Sequence, residues 1–273
     1  YGRAVRPDVQ DHRRSSKMKR LAIIAILSII CSIADAQTAH WITADDPTCN
    51  ERNVWIEFRK DFDLKKKVKK AETRIAADSK YWLYVNGQCV VFEGGLKRGP
   101  NPNDTYYDMV DLAPYVRKGK NEVKFLLWYF GKSGFSHKSS GQSGMIFDSP
   151  SIGLVSDSSW LSQRLDAYRT AGKPTVNYRL SEANILYDAR LEGQDGYKPS
   201  VEQGEWGCKP WNNLILRPIP QWKDYGIKPL EYTVSNDGEG NTILTARLPY
   251  NAQMTPVIDL DAAEEGVLVK MET

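Results

Sequence analysis

Apolar and polar residues alternate along much of this chain with the two-residue period of a half-buried strand. Between residues 53 and 64, five apolar side chains fall on even positions (Val54, Ile56, Phe58, Phe62 and Leu64), and charged residues stand between several of them. This alternation predicts a strand with one face in a core and one face in water. The later run EVKFLLWYF (122–130) is apolar on both faces and predicts a central strand of a sandwich.

Turn-forming residues separate these strand segments. Asn86-Gly87 lies between Tyr81–Val85 and Gln88–Phe92, and it predicts a type I′ hairpin because both central residues of that turn need positive φ. A second hairpin is predicted around Asp237-Gly238. With turn-rich loops between strands and no long amphipathic helix, the pattern predicts an all-β fold, an antiparallel jelly-roll β-sandwich followed by the start of a second β-sandwich.

Residues 18–36 have the features of a targeting sequence. Met18 is followed by Lys19-Arg20, an apolar run over 21–30, and Ala34-Asp35-Ala36, which is the pattern of a secretory signal peptide over residues 18–36. We expect a periplasmic or secreted protein without a membrane span after cleavage. Residues 1–17 are interpreted as a non-native upstream extension, with a genuine basic extension as the alternative.

Charge gives no indication of nucleic-acid binding. The net charge is +3, but residues 1–36 carry seven of the 37 basic residues and only three of the 34 acidic ones, so the remainder is close to neutral. The basic run KKKVKK (65–70) stands alone and is interpreted as a solvated bend between strands. We therefore expect no nucleic-acid partner.

Cysteine usage does not indicate a metal site. Cys49, Cys89 and Cys208 remain after removal of the signal peptide, and they form no C-x-x-C pair. One disulfide among them is compatible with an oxidising compartment. We expect no metal held by cysteine and no cofactor.

Two domains are predicted. Residues 37–225 hold the jelly-roll sandwich, which closes with a strand in WNNLILRPIP and a Pro-marked linker. Residues 226–273 begin a new alternating pattern. The last residues, GVLVKMET (266–273), read as a strand without a following loop, so we expect this second β-domain to be incomplete.

The chain resembles a known family over nearly all of residues 40–225. The sequence is similar to the region before the catalytic barrel in bacterial α-L-rhamnosidases of glycoside hydrolase family 78 and their close relatives. The stretches that carry the resemblance, in order, are AHWIT, WIEFRKDF, RIAADSKYWLYVNGQCVVFEGGLKRGPNPNDTYYDMVDLAPYVRKGKNEV, WYFGKSGFSHKSSGQSGMIFD, SDSSW, YDARLEG and WNNLILRPIPQW.

The resemblance implies a galactose-binding-like sandwich at the N-terminal side of a multidomain secreted glycosidase. An (α/α)₆ barrel would follow Thr273, and the two carboxylates of an inverting mechanism would belong to that barrel. No catalytic residue is therefore assigned to this chain. The implied partners are a rhamnose-containing glycan and the downstream barrel of the same polypeptide.

Two polar loops, 93–106 and 131–144, follow strands whose order would bring them to one end of the sandwich. Their side chains offer donors and acceptors for sugar hydroxyls, and the candidate carbohydrate-binding residues are Arg98, Asn101, Asn103, Asp104, Tyr106, His137 and Lys138. The alternative is that the loops pack against another domain or cap the sandwich, with Asn and Asp serving turns.

Three further interpretations concern single residues. Asp104 and Asp108 with nearby Asn residues offer oxygen ligands for calcium, but their spacing is not that of an EF-hand loop. His137 is interpreted as a solvated loop histidine without a nucleophile to activate. Asp188 and Arg190 in YDAR are expected to form an ion pair or turn.

Two function classes follow from these observations. The first is the non-catalytic N-terminal portion of an exported α-L-rhamnosidase that hydrolyses terminal rhamnose from glycans. The second is a stand-alone secreted carbohydrate-binding protein. The coding sequence beyond Thr273 discriminates between them.

Overall fold

A computed structural model of the chain describes residues 38–95, 99–135, 137–171, 182–223, 225–248, 250, 257–259 and 268–270. The predicted extension and signal peptide, residues 1–36, lie outside this set. The chain divides into two compact units, Tyr1–Trp222 and Lys223–Thr273. Among the described residues, no helix is long and apolar enough to cross a membrane.

Strands account for most of the regular structure in the first unit. They are β1 His40–Thr43, β2 Val54–Leu64, β3 Glu72–Asp78, β4 Lys80–Val85, β5 Gln88–Gly95, β6 Thr105–Asp111, β7 Gly119–Tyr129, β8 Gly144–Ser149, β9 Leu154–Val155, β10 Leu161–Arg164, β11 Tyr168–Thr170, β12 Ile185–Tyr187, β13 Lys198–Pro199, β14 Val201–Glu205 and β15 Leu214–Leu216. Short 3₁₀ helices cover Pro47–Asn50, Pro150–Ile152 and Ala189–Leu191.

Two sheets form a sandwich. The first sheet has the order β14-β1-β8-β3-β6-β15 with β9 beside β8, and the second has the order β13-β10-β2-β7-β4-β5. Neighbouring strands are antiparallel except that β15 runs parallel to β6. Side chains from both sheets share one buried core, which includes Ile75 and Phe147 of the first sheet and Phe58 and Phe125 of the second. The predicted all-β sandwich is confirmed.

β2 and β7 have the burial that their patterns predict. Val54, Ile56 and Phe58 are buried at even positions of β2. β2 pairs with β7 from Val54 opposite Tyr129 to Leu64 opposite Gly119. β7 also pairs with β4, so it is a central strand, as its doubly apolar sequence predicts.

The predicted hairpin between β4 and β5 is also confirmed. Asn86 and Gly87 have φ values of 50° and 79°, which fit the two positive-φ positions of a type I′ turn. Both strands extend beyond the predicted limits. β5 continues to Gly95, because Gly95 pairs with Lys80 at the start of β4.

The second unit contains the other predicted hairpin. β16 (Tyr232–Asn236) pairs with β17 (Thr242–Ala246) around the Asp237-Gly238 turn. Of the predicted terminal strand (266–273), the structure describes only residues 268–270. These three residues lie in no strand. A strand pattern becomes a strand only where a partner supplies ladder hydrogen bonds.

Candidate functional site

Both predicted loops leave the sandwich at one corner. The corner is the connection Asp78–Lys80 between β3 and β4. The first loop begins there, because Gly95 at the end of β5 pairs with Lys80. From the other loop, the Ser140 amide donates to Asp78 Oδ2 over 2.9 Å. Loops 93–106 and 131–144 therefore share one end of the sandwich, and we call this the loop-end surface.

The side chains of Asn101 and Asp104 in the first loop are occupied by turn hydrogen bonds. Asn101 Oδ1 accepts the amides of Asn103 and Asp104 at 3.0 and 3.1 Å, and Asn101 Nδ2 donates to Asp104 Oδ2 at 2.6 Å. Asp104 Oδ1 also accepts from the Asn213 amide at 3.2 Å. These bonds fix the loop against the segment that precedes β15.

His137 is not a solvated loop residue, and that interpretation is wrong. It is 2% exposed, and its Nε2 lies 3.2 Å from Ser79 Oγ and 3.5 Å from Asp78 Oδ1. Its ring also packs edge-on against Phe130. His137 thus fastens the second loop to the β3–β4 corner and is not presented to solvent.

The remaining candidate residues differ in exposure. Tyr106 is half-buried in β6, and Lys138 is exposed next to His137. Phe135, which could stack on a sugar, is 75% exposed. Arg98 lies outside the described residues. The structure brings Asn101, Asn103 and Asp104 into one turn and places His137 below the surface.

A buried polar network supports this corner from beneath. Asp108 Oδ2 accepts from Tyr81 Oη at 2.8 Å and from the Gly95 amide at 3.1 Å, and Asp108 Oδ1 lies 2.6 Å from Arg217 Nε. Burial and the Asp108 carboxylate raise the pKa of Tyr81 well above its ordinary value. Asp108 therefore points into the sandwich, away from the calcium set with Asn101 that its sequence position suggested.

A second feature, a cleft on the outer face of the second sheet, was not predicted. Its volume is about 680 Å³. The floor is made by side chains on paired positions of β2, β7 and β10, since Glu57 lies opposite both Leu126 and Gln163. One wall is the segment 191–198, which approaches the floor where the Gly196 amide donates to Gln163 Oε1 at 2.8 Å.

Glu57 is the central acceptor of this cleft. Its Oε1 accepts from Arg59 Nε at 3.0 Å and from the hydroxyl of Tyr197, while its Oε2 lies 3.4 Å from Lys124 Nζ. Burial, followed by the hydrogen bond to Glu57, raises the pKa of Tyr197. The Arg59 guanidinium also stacks 4.6 Å from the centre of the Tyr197 ring. These bonds hold the wall to the floor.

An aromatic row continues from the cleft across the same face. Tyr168 lines the cleft and stacks on Trp55 with ring centres 4.2 Å apart. Trp55 in turn stacks on Trp128 at 4.8 Å and Trp82 at 5.3 Å. The cleft thus has a polar side around Glu57 and an apolar side toward Tyr168.

Sequence reasoning missed the cleft because its residues come from five separate segments of the chain. The sequence does place polar residues at odd positions of β2, namely Glu57 and Arg59. In the structure Glu57 lies opposite Leu126 of β7, and Arg59 lies opposite Lys124. Pairing these positions requires the strand register, which a single sequence does not supply.

The structure gives no support for a metal centre. Within the described ranges, no cluster of three or more His, Cys, Asp or Glu side chains is arranged to hold an ion. Among the described residues, Cys49 and Cys208 carry free thiols, so no disulfide joins these two. Burial raises the pKa of the Cys49 thiol to about 12.

The YDAR interpretation is confirmed. Arg190 donates to both carboxylate oxygens of Asp188, at 2.8 and 2.6 Å, and Asp188 begins the 3₁₀ helix that leads into the cleft wall. Ile185–Tyr187 before it forms β12.

No protein-family model matches this chain, and no curated protein sequence matches it. Among solved structures, it is similar to the GH78 family rhamnosidase of Bacillus sp. GL1, with 28% identity and a TM-score of 0.57 over 68% of this chain and 20% of that one. It is also similar to the native α-L-rhamnosidase from Aspergillus terreus, with 19% identity and a TM-score of 0.53 over 78% of this chain and 26% of that one.

The chain thus spans about a fifth to a quarter of the length of these two rhamnosidase structures. It contains a β-sandwich with a rhamnosidase-like fold, similar to a part of these two structures. The likeness to the Aspergillus structure concerns the fold alone.

Proposed function

We propose that this chain is the N-terminal non-catalytic portion of an exported glycoside hydrolase, an α-L-rhamnosidase that removes terminal rhamnose from glycans. The observation that carries the proposal is the likeness to the Bacillus rhamnosidase, at 28% identity over 68% of this chain. The sandwich covers only 20% of that structure, so a catalytic body has ample room elsewhere in the parent protein. In this proposal an (α/α)₆ barrel follows Thr273 and holds the two carboxylates of an inverting mechanism.

The loop-end surface would meet either the glycan or that barrel. The turn bonds of Asn101 and Asp104 give it a fixed shape, and Lys138 is exposed beside it. Arg98→Ala and Lys138→Ala in the parent protein test the glycan contact. Unchanged KM for a rhamnosyl oligosaccharide in both variants would contradict that contact.

The decisive experiment compares this chain with the protein encoded by the continued reading frame. We expect the continued frame to encode several hundred further residues of repeated helices. Its product should hydrolyse an aryl α-L-rhamnoside, whereas residues 37–273 alone should not. A stop codon close after Thr273 would overturn the proposal and favour the stand-alone carbohydrate-binding protein.

Export is part of the same proposal. The residues that support it are Met18–Ala36, with their basic, apolar and small-residue regions. We expect N-terminal sequencing of the protein recovered from the periplasm or medium to begin at Gln37. Recovery from the cytoplasm with Met18 retained would contradict export.

A further inference from the structure

The cleft on the outer face of the second sheet has the chemistry of a ligand site. Its volume of about 680 Å³ lies within the roughly 300–1,000 Å³ typical of small-molecule sites. Such sites combine an apolar lining with a few fixed polar groups. This cleft is more polar than that, with ten charged side chains in its lining, but Leu126, Leu165 and Tyr168 form an apolar side opposite Glu57, Arg59 and Tyr197.

The polar groups of the cleft are held in place before any ligand arrives. Glu57 has a side-chain exposure of 12%, and three donors fix its carboxylate. Gln163 is fixed by the Gly196 amide. Since little side-chain entropy remains to be lost, even a small ligand can gain from hydrogen bonds to the outer edges of these groups.

The cations of the cleft are paired with carboxylates of its lining. Each of its four cations lies within 4 Å of a carboxylate: Arg59 and Lys124 pair with Glu57, Arg164 lies 3.9 Å from Asp166, and Lys198 lies 3.6 Å from Asp45. The full lining has four basic and six acidic side chains. The excess of two carboxylates disfavours an anionic ligand. The fixed groups around Glu57 offer hydrogen bonds to a neutral ligand with hydroxyl groups.

We propose that this cleft binds a neutral saccharide. A pyranose ring presents C–H groups on its faces and hydroxyls around its edge, which matches an apolar side at Tyr168 and a hydrogen-bonding side at Glu57 and Arg59. Paired charged side chains remain good partners for hydroxyls because each hydrogen bond to an ionised group is strong. This site goes beyond the proposed function, and it would operate whether or not a catalytic barrel is attached.

The test is a titration of the purified, ¹⁵N-labelled chain followed by NMR. The neutral probes are methyl α-L-rhamnopyranoside and methyl α-D-glucopyranoside, and the charged probe is the α-D-glucuronide that matches the latter. We expect saturable shifts at millimolar concentrations of a neutral probe, centred on the amides of 57–59, 124–126 and 195–198. The glucuronide should bind at least tenfold more weakly than the glucoside.

Two variants test the walls of the cleft. Tyr197→Ala removes the ring and hydroxyl that contact Arg59 and Glu57, and Lys124→Ala removes one cation at the cleft edge without touching the core. Each should weaken the neutral probe at least fivefold. Tyr225→Ala, at an aromatic ring that is 70% exposed outside the cleft, should leave the affinity unchanged.

Three outcomes would overturn the proposal. These are the absence of saturable shifts with either neutral probe, shifts centred on the loop-end surface instead, or tighter binding of the glucuronide. If Tyr197→Ala does not fold, the affinity of Lys124→Ala and the positions of the shifted amides still test the proposal. None of these outcomes bears on hydrolysis by the parent protein, so the proposed function would stand or fall separately.

Discussion

The loop-end surface and the outer-face cleft use polar residues in opposite ways. At the loop end, neighbours in sequence bond to one another, as Asn101 does with Asn103 and Asp104. In the cleft, residues from distant strands converge on Glu57 and leave a cavity above them. The polar residues of the turn-rich loop thus stabilise the loop itself, whereas those of the charged sheet face remain around a cavity that can hold a ligand.

The two surfaces also rest on different supports. Beneath the loop end, Asp108 is 3% exposed and its partner Arg217 is 15% exposed. In the cleft, Arg59 is 40% exposed, so water screens its contribution. Substitutions in the two supports should therefore lower the free energy of unfolding by different amounts, which denaturation experiments can measure.

The largest effect is expected from Arg217→Ala. The substitution leaves the Asp108 carboxylate buried without its cation, which costs about 3–5 kcal/mol of unfolding free energy. Urea denaturation followed by tryptophan fluorescence measures it. Arg190→Ala is the matched control, because that ion pair is solvent-exposed and should contribute little to stability. Equal losses in the two variants would contradict the assigned difference in burial.

A smaller effect is expected from Tyr197→Phe. The ring remains under Arg59, but the hydrogen bond to the Glu57 carboxylate is lost, which costs about 1–2 kcal/mol. Tyr232→Phe, at a residue that is 61% exposed in β16, should not change the stability. A Tyr197→Phe chain as stable as the parent would show that this bond does not hold the cleft wall.

Asn101→Ala should act on the loop end alone. Its side chain closes a turn at the surface, so we expect a loss of about 0.5–1 kcal/mol. Binding of a neutral saccharide in the cleft should not change. Lys138→Ala, at an exposed neighbour, should cost less than Asn101→Ala in the same denaturation experiment. A larger loss of stability in Lys138→Ala than in Asn101→Ala would indicate that the Lys138 side chain, and not the Asn101 turn, stabilises the loop end.

The smallest effect is expected at Asp188, where the hydrogen bonds from Arg190 lower the carboxyl pKa from 3.8 to about 2. Because the folded-state pKa is the lower one, the stabilisation is complete above pH 3.8 and is lost as pH falls through about 2. An NMR titration of the carboxyl carbon should give this midpoint. In Arg190→Ala the midpoint should rise toward 3.8, and an unshifted midpoint would contradict the ion pair.

Local sequence signals predicted several elements because the cause of each lies within a few residues. Asn86-Gly87 determines its own turn, since few residue pairs tolerate two positive φ values. The alternation of β2 determines which of its faces is buried. Asp188 and Arg190 pair because they are two residues apart.

His137 and Glu57 depended instead on the register of distant strands. The sequence around His137 is polar and loop-like, yet Asp78, Ser79 and Phe130 enclose the ring. Glu57 looks like an ordinary solvent-facing strand residue until Lys124 and Tyr197 are placed beside it.

By itself, the sequence determined the sandwich, its hairpins and its central strand, because hydrophobic period and turn chemistry are local properties. The tertiary structure alone decided which polar residues are buried, which are used by turns and which surround a cavity. Those outcomes depend on contacts between residues far apart in the chain, and alternation along one strand carries no information about the strand that pairs with it.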